Sequence, residues 1–312
     1  MRHFLKWLSI PCSVLASHLA LAQGCSDAGF CTMGAMRPNQ LAPSKMAVKL
    51  RSLEIANNIG YTKFKDVIVN NVIEMNIGIS NSSFFQVKMP YTYISGPLAN
   101  TQGLGDVSLS YTFSKPLNEQ YAFGLSLGTK IPTNKADKSR DGLPLPMYYQ
   151  TSLGTYDLIL GVSAASSKWL FAFGYQMPVY TLNANDFRWA PWNSTLDSAA
   201  AGVYPRSSNL KRGNDIMFRV ERNFRFSRLN FFIGILPIYR LTQDIVNFSL
   251  VNRDQVPESN GLVINGLAGI GYQFSVRSGI KLLIGVKLTD RYTNPDGLSR
   301  EFVTNLSYVY RF

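Results

Sequence analysis

The residues capable of acid–base chemistry are few, and their positions exclude the commonest kinds of catalysis. Both histidines of the 312-residue chain, His3 and His18, lie within its first 22 residues. That stretch reads as a secretory signal that is removed on export. The remaining chain has no imidazole to act as the base of a Ser–His or Asp–His arrangement. We therefore expect no catalytic residue, no cofactor and no enzyme activity.

A second group of residues could act through charge. They fall on the polar face of segments in which polar and apolar side chains alternate, so we expect them to line an interior away from lipid. Their basic excess would favour anions or amphipathic acids; alternatively, they form a salt-bridged network that fills a narrow interior. These candidate lumen residues are Lys88, Asp106, Lys130, Asp157, Arg219, Arg240, Lys281, Lys287 and Arg291, accompanied by Glu74, Glu221 and Arg311.

Aromatic residues are concentrated in the long connection 182–213, where Phe187, Trp189, Trp192 and Tyr204 are interspersed with charged residues. Aromatic side chains at the mouth of a binding site can hold an apolar solute. We interpret these four residues as a candidate gate or ligand-binding element. The alternative is a set of interface aromatics in an ordinary surface loop.

The elements that position these residues are alternating segments of ten to fifteen residues, typical of an all-β transmembrane antiparallel barrel with about 12 strands (10–14). The last segment is the clearest: its alternation ends in Tyr308, Tyr310 and Phe312. It resembles the C-terminal signal that the barrel-assembly machinery reads in bacterial outer-membrane proteins. The predicted strands are 46–57, 68–79, 84–95, 105–115, 120–132, 149–163, 168–181, 214–226, 229–241, 262–274, 279–291 and 301–312.

Connection lengths alternate as well, since short links follow the even strands and longer ones mostly follow the odd strands. Short periplasmic turns opposite long external loops are the outer-membrane arrangement. Low charge (16%) and many aromatics (12%) fit that environment. The predicted location is the bacterial outer membrane, with lipid and lipopolysaccharide as partners. Nothing in the sequence indicates nucleic-acid binding, and the oligomeric state stays open.

The N-terminal part divides into a signal peptide, 1–22, and a periplasmic segment, 23–45, ahead of the barrel at 46–312. The signal ends in the small-x-small sequence Ala20-Leu21-Ala22. Cys25 and Cys31 are expected to form a small disulfide-closed loop in the oxidising envelope, and the alternative is that Cys25 is lipidated. The segment 23–45 could act as a lumen plug or remain a periplasmic tail.

Three short motifs occur in a fixed order: Gly103-Leu104-Gly105-Asp106, Lys130-Ile131-Pro132-Thr133, and Gln150 followed by Gly154-Thr155-Tyr156-Asp157. Together they resemble the phenol-degradation MetA-like outer-membrane proteins, which are related to the FadL/TodX channels for hydrophobic compounds. The chain departs from that pattern at Asn134, where the family often has glycine. It also lacks the long N-terminal hatch domain of the fatty-acid channels.

The resemblance implies a porin-like channel for passive uptake of a small hydrophobic or amphipathic solute. A different class of function is also compatible with the sequence: a non-conducting envelope barrel that binds a partner or surface ligand through its extracellular loops. A filled lumen would favour the second hypothesis, and transport of apolar solutes would favour the first.

Overall fold

The computed structural model describes residues 48–118, 120–247 and 253–312. The predicted signal peptide, the pair Cys25 and Cys31 and the segment 23–45 lie outside these residues. Within them no helix is long and apolar enough to cross a membrane.

Regular structure is almost entirely β-strand. Among the described residues, the helical elements are two 3-10 turns, Met147–Tyr149 and Ala190–Trp192, and one five-residue helix, Ser198–Gly202. The strands are β1 (Lys49–Tyr61), β2 (Val67–Ser80), β3 (Ser83–Ser95), β4 (Asn100–Leu104), β5 (Val107–Pro116), β6 (Tyr121–Ile131), β7 (Ser139–Arg140), β8 (Leu143–Pro144), β9 (Thr155–Ser166), β10 (Trp169–Thr181), β11 (Asp215–Phe226), β12 (Leu229–Arg240), β13 (Ile245–Asn247), β14 (Arg253–Gln255), β15 (Gly261–Gln273), β16 (Ser278–Lys287) and β17 (Phe302–Arg311).

One antiparallel sheet closes on itself to form the barrel. Each wall strand pairs with its neighbour in the chain, and β1 pairs with β17 from Ser52 opposite Arg311 to Tyr61 opposite Phe302. β4 and β5 follow one another along the same edge of β3 and together make one wall position. The barrel therefore has 12 strands, as the sequence predicts. The hairpins β7–β8 and β13–β14 stand apart from the wall.

Three boundaries of the predicted strands differ from the structure by four or more residues. β1 continues to Tyr61, so the first long-side connection is only 62–66, where Thr62 Oγ1 and Asp66 Oδ2 hydrogen-bond at 2.8 Å. β9 begins at Thr155 rather than 149, because residues 147–149 form a 3-10 turn. β16 ends at Lys287 rather than 291, which makes the last loop 288–301. Alternation alone did not mark these ends, since the turns contain apolar residues too.

The strands present apolar side chains outward and mostly polar ones inward. In β17, Phe302, Leu306 and Tyr308 are exposed whereas Asn305 and Ser307 are buried. Such a continuous apolar outer wall is the surface that a transmembrane barrel presents to lipid. The side chains that could form a functional site therefore lie inside the barrel and beneath the long loops.

Candidate functional site

The three sequence motifs meet at the long-loop end of β5, β6 and β9. Lys130 Nζ lies 3.4 Å from Asp106 Oδ2, and both side chains are buried. The backbone N–H of Leu153 donates to the same Asp106 oxygen at 3.0 Å. Asn134 Nδ2, at the position that departs from the family pattern, donates to Thr151 Oγ1 at 3.0 Å. The motifs thus form one packed unit inside the rim.

A cavity of about 50 Å³ lies against this unit. Its wall combines apolar and charged residues, and it is large enough for a few water molecules. Asp106 Oδ1 is buried there without a hydrogen-bond partner among the described residues. The lining includes Ile68, Lys88, Pro90, Ile94, Asp106, Lys130, Met147, Leu153, Asp296, Leu298 and Arg300.

Gly154 fits a position where the chain turns sharply and lies against a second backbone. Its φ is +65°, and a Cβ there would lie 2.8 Å from Asn183 Cα. We expect Gly154→Val to destabilise the barrel by about 2–4 kcal/mol through left-handed strain and overpacking. Gly142→Val is the control, because Gly142 has a comparable φ of +79° with nothing within 4 Å of its Cβ position. Urea unfolding in vesicles should show a much larger loss of unfolding free energy for Gly154→Val than for Gly142→Val. Equal losses would contradict the crowding against Asn183.

Seven buried charged side chains form a network near the long-loop rim, called here the rim network: Asp157, Arg212, Asp215, Arg240, Asp244, Arg291 and Asp296. Arg240 lies at its centre. Its Nε is 2.8 Å from Asp215 Oδ1, its Nη1 2.8 Å from Asp244 Oδ2 and its Nη2 2.8 Å from Asp296 Oδ2. The network ties wall strands β9, β11 and β12 to three of the long loops.

The outer members of the rim network complete these links. Arg212 Nη1, from the loop 182–214, lies 3.0 Å from Asp157 Oδ2 on β9. Arg291 Nη2, from the loop 288–301, lies 3.6 Å from Asp296 Oδ2. Loop and wall are therefore held together by buried charge, which is costly to disrupt because a lone buried ion is poorly solvated.

The two loop carboxyl groups of the rim network have opposite pKa shifts. Burial raises the pKa of Asp244, outweighing its contact with Arg240. Burial opposes ionisation of Asp296 as well, but Arg240, Arg291 and Arg212 together hold its pKa below the usual range. Asp296 is thus the carboxylate that the three arginines require.

Other predicted lumen charges are also buried and partnered. Lys287 Nζ lies 2.7 Å from both Asp290 Oδ2 and Glu301 Oε1. Arg219 pairs with Glu221 inside the wall. Glu74 accepts from Gln86 Nε2 at 2.6 Å.

The remaining members of that set lie in less enclosed positions or against the cavity. Lys281 reaches Glu54 Oε2 at 3.3 Å and is about half exposed, at the short-turn end. Lys88 is buried against the cavity wall. Arg311 is half-buried at the end of β17, and Tyr310 and Phe312 have ring centroids 5.1 Å apart. The structure therefore brings together only part of the predicted set.

The four aromatic residues of the loop 182–214 are divided between two environments. Phe187, Trp192 and Tyr204 are essentially fully buried, whereas Trp189 is 38% exposed. The guanidinium carbon of Arg206 lies 4.2 Å from the centroid of the Trp189 ring. Trp192 Nε1 donates to Pro144 O of the preceding long loop at 2.9 Å. Three of the candidate gate residues thus pack inside a loop core rather than facing a mouth.

Tyr204 and Tyr149 both donate to Asp66 Oδ1 at 2.7 Å, which joins the first loop to two others. Burial and the charge of Asp66 raise the pKa of both tyrosines, so they remain neutral donors. Phe187, Trp192 and Tyr204 belong to one apolar cluster of the loops. A second apolar cluster joins four long loops through Ala136, Met147, Leu153, Leu210, Val246, Val256 and Leu298. The loops therefore form one lid over the barrel end.

Several residues of this site were not predicted from the sequence. Arg212, Asp244 and Asp296 lie in loops, where no period of two indicates which way a side chain points. Asp66 and Tyr149 lie outside the charged set and the aromatic loop. The one usable signal was the clustering of Asp and Arg at both ends of the long loops.

The fold is shared with a known channel. The crystal structure of an outer-membrane channel from Pseudomonas putida F1 matches with a TM-score of 0.58 and 13% sequence identity, covering 88% of this chain and 99% of that one. The NanC porin matches less well, with a TM-score of 0.46 and 11% sequence identity, covering 83% of this chain and 98% of that one. The CymD monoaromatic hydrocarbon channel matches with a TM-score of 0.44 and 10% identity, covering 94% of this chain and 98% of that one. These last two are too distant to support a functional argument.

No protein family matches the sequence, and no curated protein does. The closed barrel, its apolar outer wall and the shared fold place the protein in the bacterial outer membrane.

Proposed function

We propose that the protein is an outer-membrane channel for the passive uptake of small hydrophobic or amphipathic molecules, and not an enzyme. The observation that carries the proposal is the two-sided interior of the barrel. One sector of the inner wall carries a cluster of apolar side chains among its charged residues, and the opposite sector is mainly polar, which suits a solute with both kinds of surface.

The apolar part lies on neighbouring strands β9 to β15. Ile159, Leu170, Met217, Leu236 and Leu267 are buried against one another on the inner face. Phe232 packs against them half-buried. Apolar side chains offer no hydrogen bonds to a hydrated solute, so this surface favours contact with the apolar part of a solute.

The polar part lies opposite, on β17, β1, β2, β3, β5 and β6. Its buried inward residues are mainly hydroxyl and amide side chains, which can replace some of the hydration of a polar group. They include Asn58, Asn70, Asn76, Gln86, Thr92, Ser108, Ser110, Thr112, Ser126, Asn305 and Ser307.

The lid and the cavity supply the external end of the pathway. Because the long loops pack against one another, the lid is closed, and the cavity of about 50 Å³ beneath it has room for a few water molecules but not for a solute. A solute would pass only when the lid loosens. The association of the MetA-like motifs around Asp106 and Lys130 supports the same proposal, since these residues line that cavity.

The test is uptake of benzoate and of glucose by liposomes containing the full chain. Met217→Gln keeps the side-chain length but places an amide on the apolar wall, and Met217→Leu keeps the wall apolar. We expect Met217→Gln to slow benzoate uptake about three- to tenfold, because roughly 1 kcal/mol of apolar contact is lost. Met217→Leu should behave like the unsubstituted protein. No benzoate uptake by any form would overturn the channel proposal.

A second function, a non-conducting barrel that binds a surface partner through its loops, is favoured by one observation. The inward side chains toward the long-loop end are mostly buried and the cavity beneath the lid is only about 50 Å³, so this end of the barrel is largely filled. Single-channel recording separates the two: current steps in the full chain support the channel. A silent barrel that still binds its partner through the loop 182–214 supports the alternative.

A further inference from the structure

The end of the barrel that carries the short turns is strongly basic on the sector from β10 to β17. Lys168, Arg228 and Arg277 lie in three turns, 167–168, 227–228 and 274–277, none of which contains Asp or Glu. The turns are joined side by side to the neighbouring strands, because Asn223 N–H donates to Lys168 O at 2.7 Å and Gln273 N–H donates to Arg228 O at 2.8 Å. This end faces the periplasm in the outer-membrane arrangement.

Arg222 lies on the lipid-facing side of this sector. It is directly opposite Trp169 in the β10–β11 ladder, and its guanidinium carbon lies 4.9 Å from the Trp169 ring centroid. Phe224 provides a second ring at 5.5 Å. The neighbouring Glu221 points into the barrel and pairs with Arg219. Within the described residues Arg222 has no carboxylate partner.

The rings around Arg222 form an aromatic belt. Trp169 stacks on Phe171 with centroids 5.9 Å apart at 16°, and Phe224 stacks on Phe231 at 5.5 Å and 29°. Tryptophan and its aromatic neighbours gather at the headgroup level of a bilayer. A guanidinium held among them therefore lies at the depth of lipid phosphates, on an otherwise apolar wall.

We propose that Arg222, held by Trp169 and Phe224 and flanked by Lys168, binds the phosphate of an anionic glycerophospholipid in the periplasmic leaflet. A planar guanidinium binds phosphate through two parallel hydrogen bonds, and its ring contacts fix its orientation. The acyl chains would lie along the apolar wall below. The inference depends on the membrane location and not on the channel activity.

The experiment measures lipid retained by the full chain in native mass spectrometry after exchange into phosphatidylglycerol or phosphatidylcholine. Arg222→Gln removes the charge. Arg206→Gln is the matched control, because Arg206 also stacks on a tryptophan, Trp189, but at the long-loop end. We expect Arg222→Gln to reduce bound phosphatidylglycerol about fivefold or more and leave phosphatidylcholine unchanged, with Arg206→Gln unaffected. The shift in electrophoretic mobility on heating confirms that each variant is folded.

Three outcomes would overturn the proposal. Equal phosphatidylglycerol retention by Arg222→Gln and the unsubstituted protein would show that the site does not bind lipid phosphate. Equal loss in Arg222→Gln and Arg206→Gln would indicate a general charge effect. Displacement of the lipid by millimolar inorganic phosphate would identify a free-anion site instead. Partial retention by Trp169→Leu, which keeps Arg222 but removes its main ring, would support the proposed platform.

Discussion

Asp296→Asn is expected to reduce the free energy of unfolding by about 3–5 kcal/mol at neutral pH, because it leaves buried arginines without their shared carboxylate. Asp296 Oδ2 lies 2.8 Å from Arg240, 3.6 Å from Arg291 and 3.7 Å from Arg212. Guanidinium unfolding of the barrel in lipid vesicles measures the loss. Asp141→Asn is the control: its carboxylate is 88% exposed and 3.8 Å from Arg140, so we expect a change within about 0.5 kcal/mol.

The unfolding free energy that Asp296→Asn loses should decrease as the pH falls. The folded pKa of Asp296 is lower than its ordinary 3.8, so its contribution is present above that value and lost as the pH falls through the folded pKa. The difference between the unsubstituted protein and Asp296→Asn should therefore shrink in acid. A difference that stays constant from pH 7 down to strongly acidic solution would contradict the assignment.

Asp244→Asn should show the opposite trend. Burial raises the folded pKa of Asp244, so its favourable contribution is present below the unfolded value and lost as the pH rises through the folded one. At neutral pH its ionised form adds a fourth carboxylate to three arginines in the rim network. We expect Asp244→Asn to cost less than half as much as Asp296→Asn at pH 7 in the same unfolding experiment.

Trp192→Ala is expected to open the lid. The indole is fully buried in the apolar cluster that also contains Phe187 and Tyr204, where its Nε1 donates to Pro144 O and the guanidinium carbon of Arg140 lies 5.1 Å from its ring centroid. Truncation of such a side chain costs about 3–5 kcal/mol. Since each 1.4 kcal/mol is about tenfold in an equilibrium, the open fraction should rise about 100-fold or more. Under the channel proposal, open events in planar bilayers become frequent and benzoate uptake accelerates.

Leu196→Ala is the control for that experiment, because Leu196 lies in the same loop but is fully exposed. It should leave both conductance and uptake unchanged. Amide hydrogen exchange in the loop 182–214 shows whether the lid has loosened, independently of transport. Faster exchange without any conductance in Trp192→Ala would contradict a pathway beneath the lid and favour the surface-binding role.

The barrel could be predicted from sequence because a period of two fixes which face each strand residue occupies. Asp106 and Lys130 could be assigned to the interior for that reason. The lid could not be predicted, because its contacts join residues with no shared period: Asp66 meets Tyr204 across 138 positions. Trp189 and Trp192 illustrate the limit, since residue type alone does not tell the exposed ring from the buried one. The rim network depends on loop contacts in the same way.

The second apolar cluster of the lid determines how the pathway would switch between closed and open. Ala136, Leu210, Val246 and Leu298 come from four different loops and are buried against one another. Lifting one loop therefore exposes apolar surface on the other three. Opening the lid partly then costs much of the free energy that opening it fully costs. Recorded current should accordingly alternate between two levels, closed and open, rather than climb through a series of sublevels as independent loops would produce.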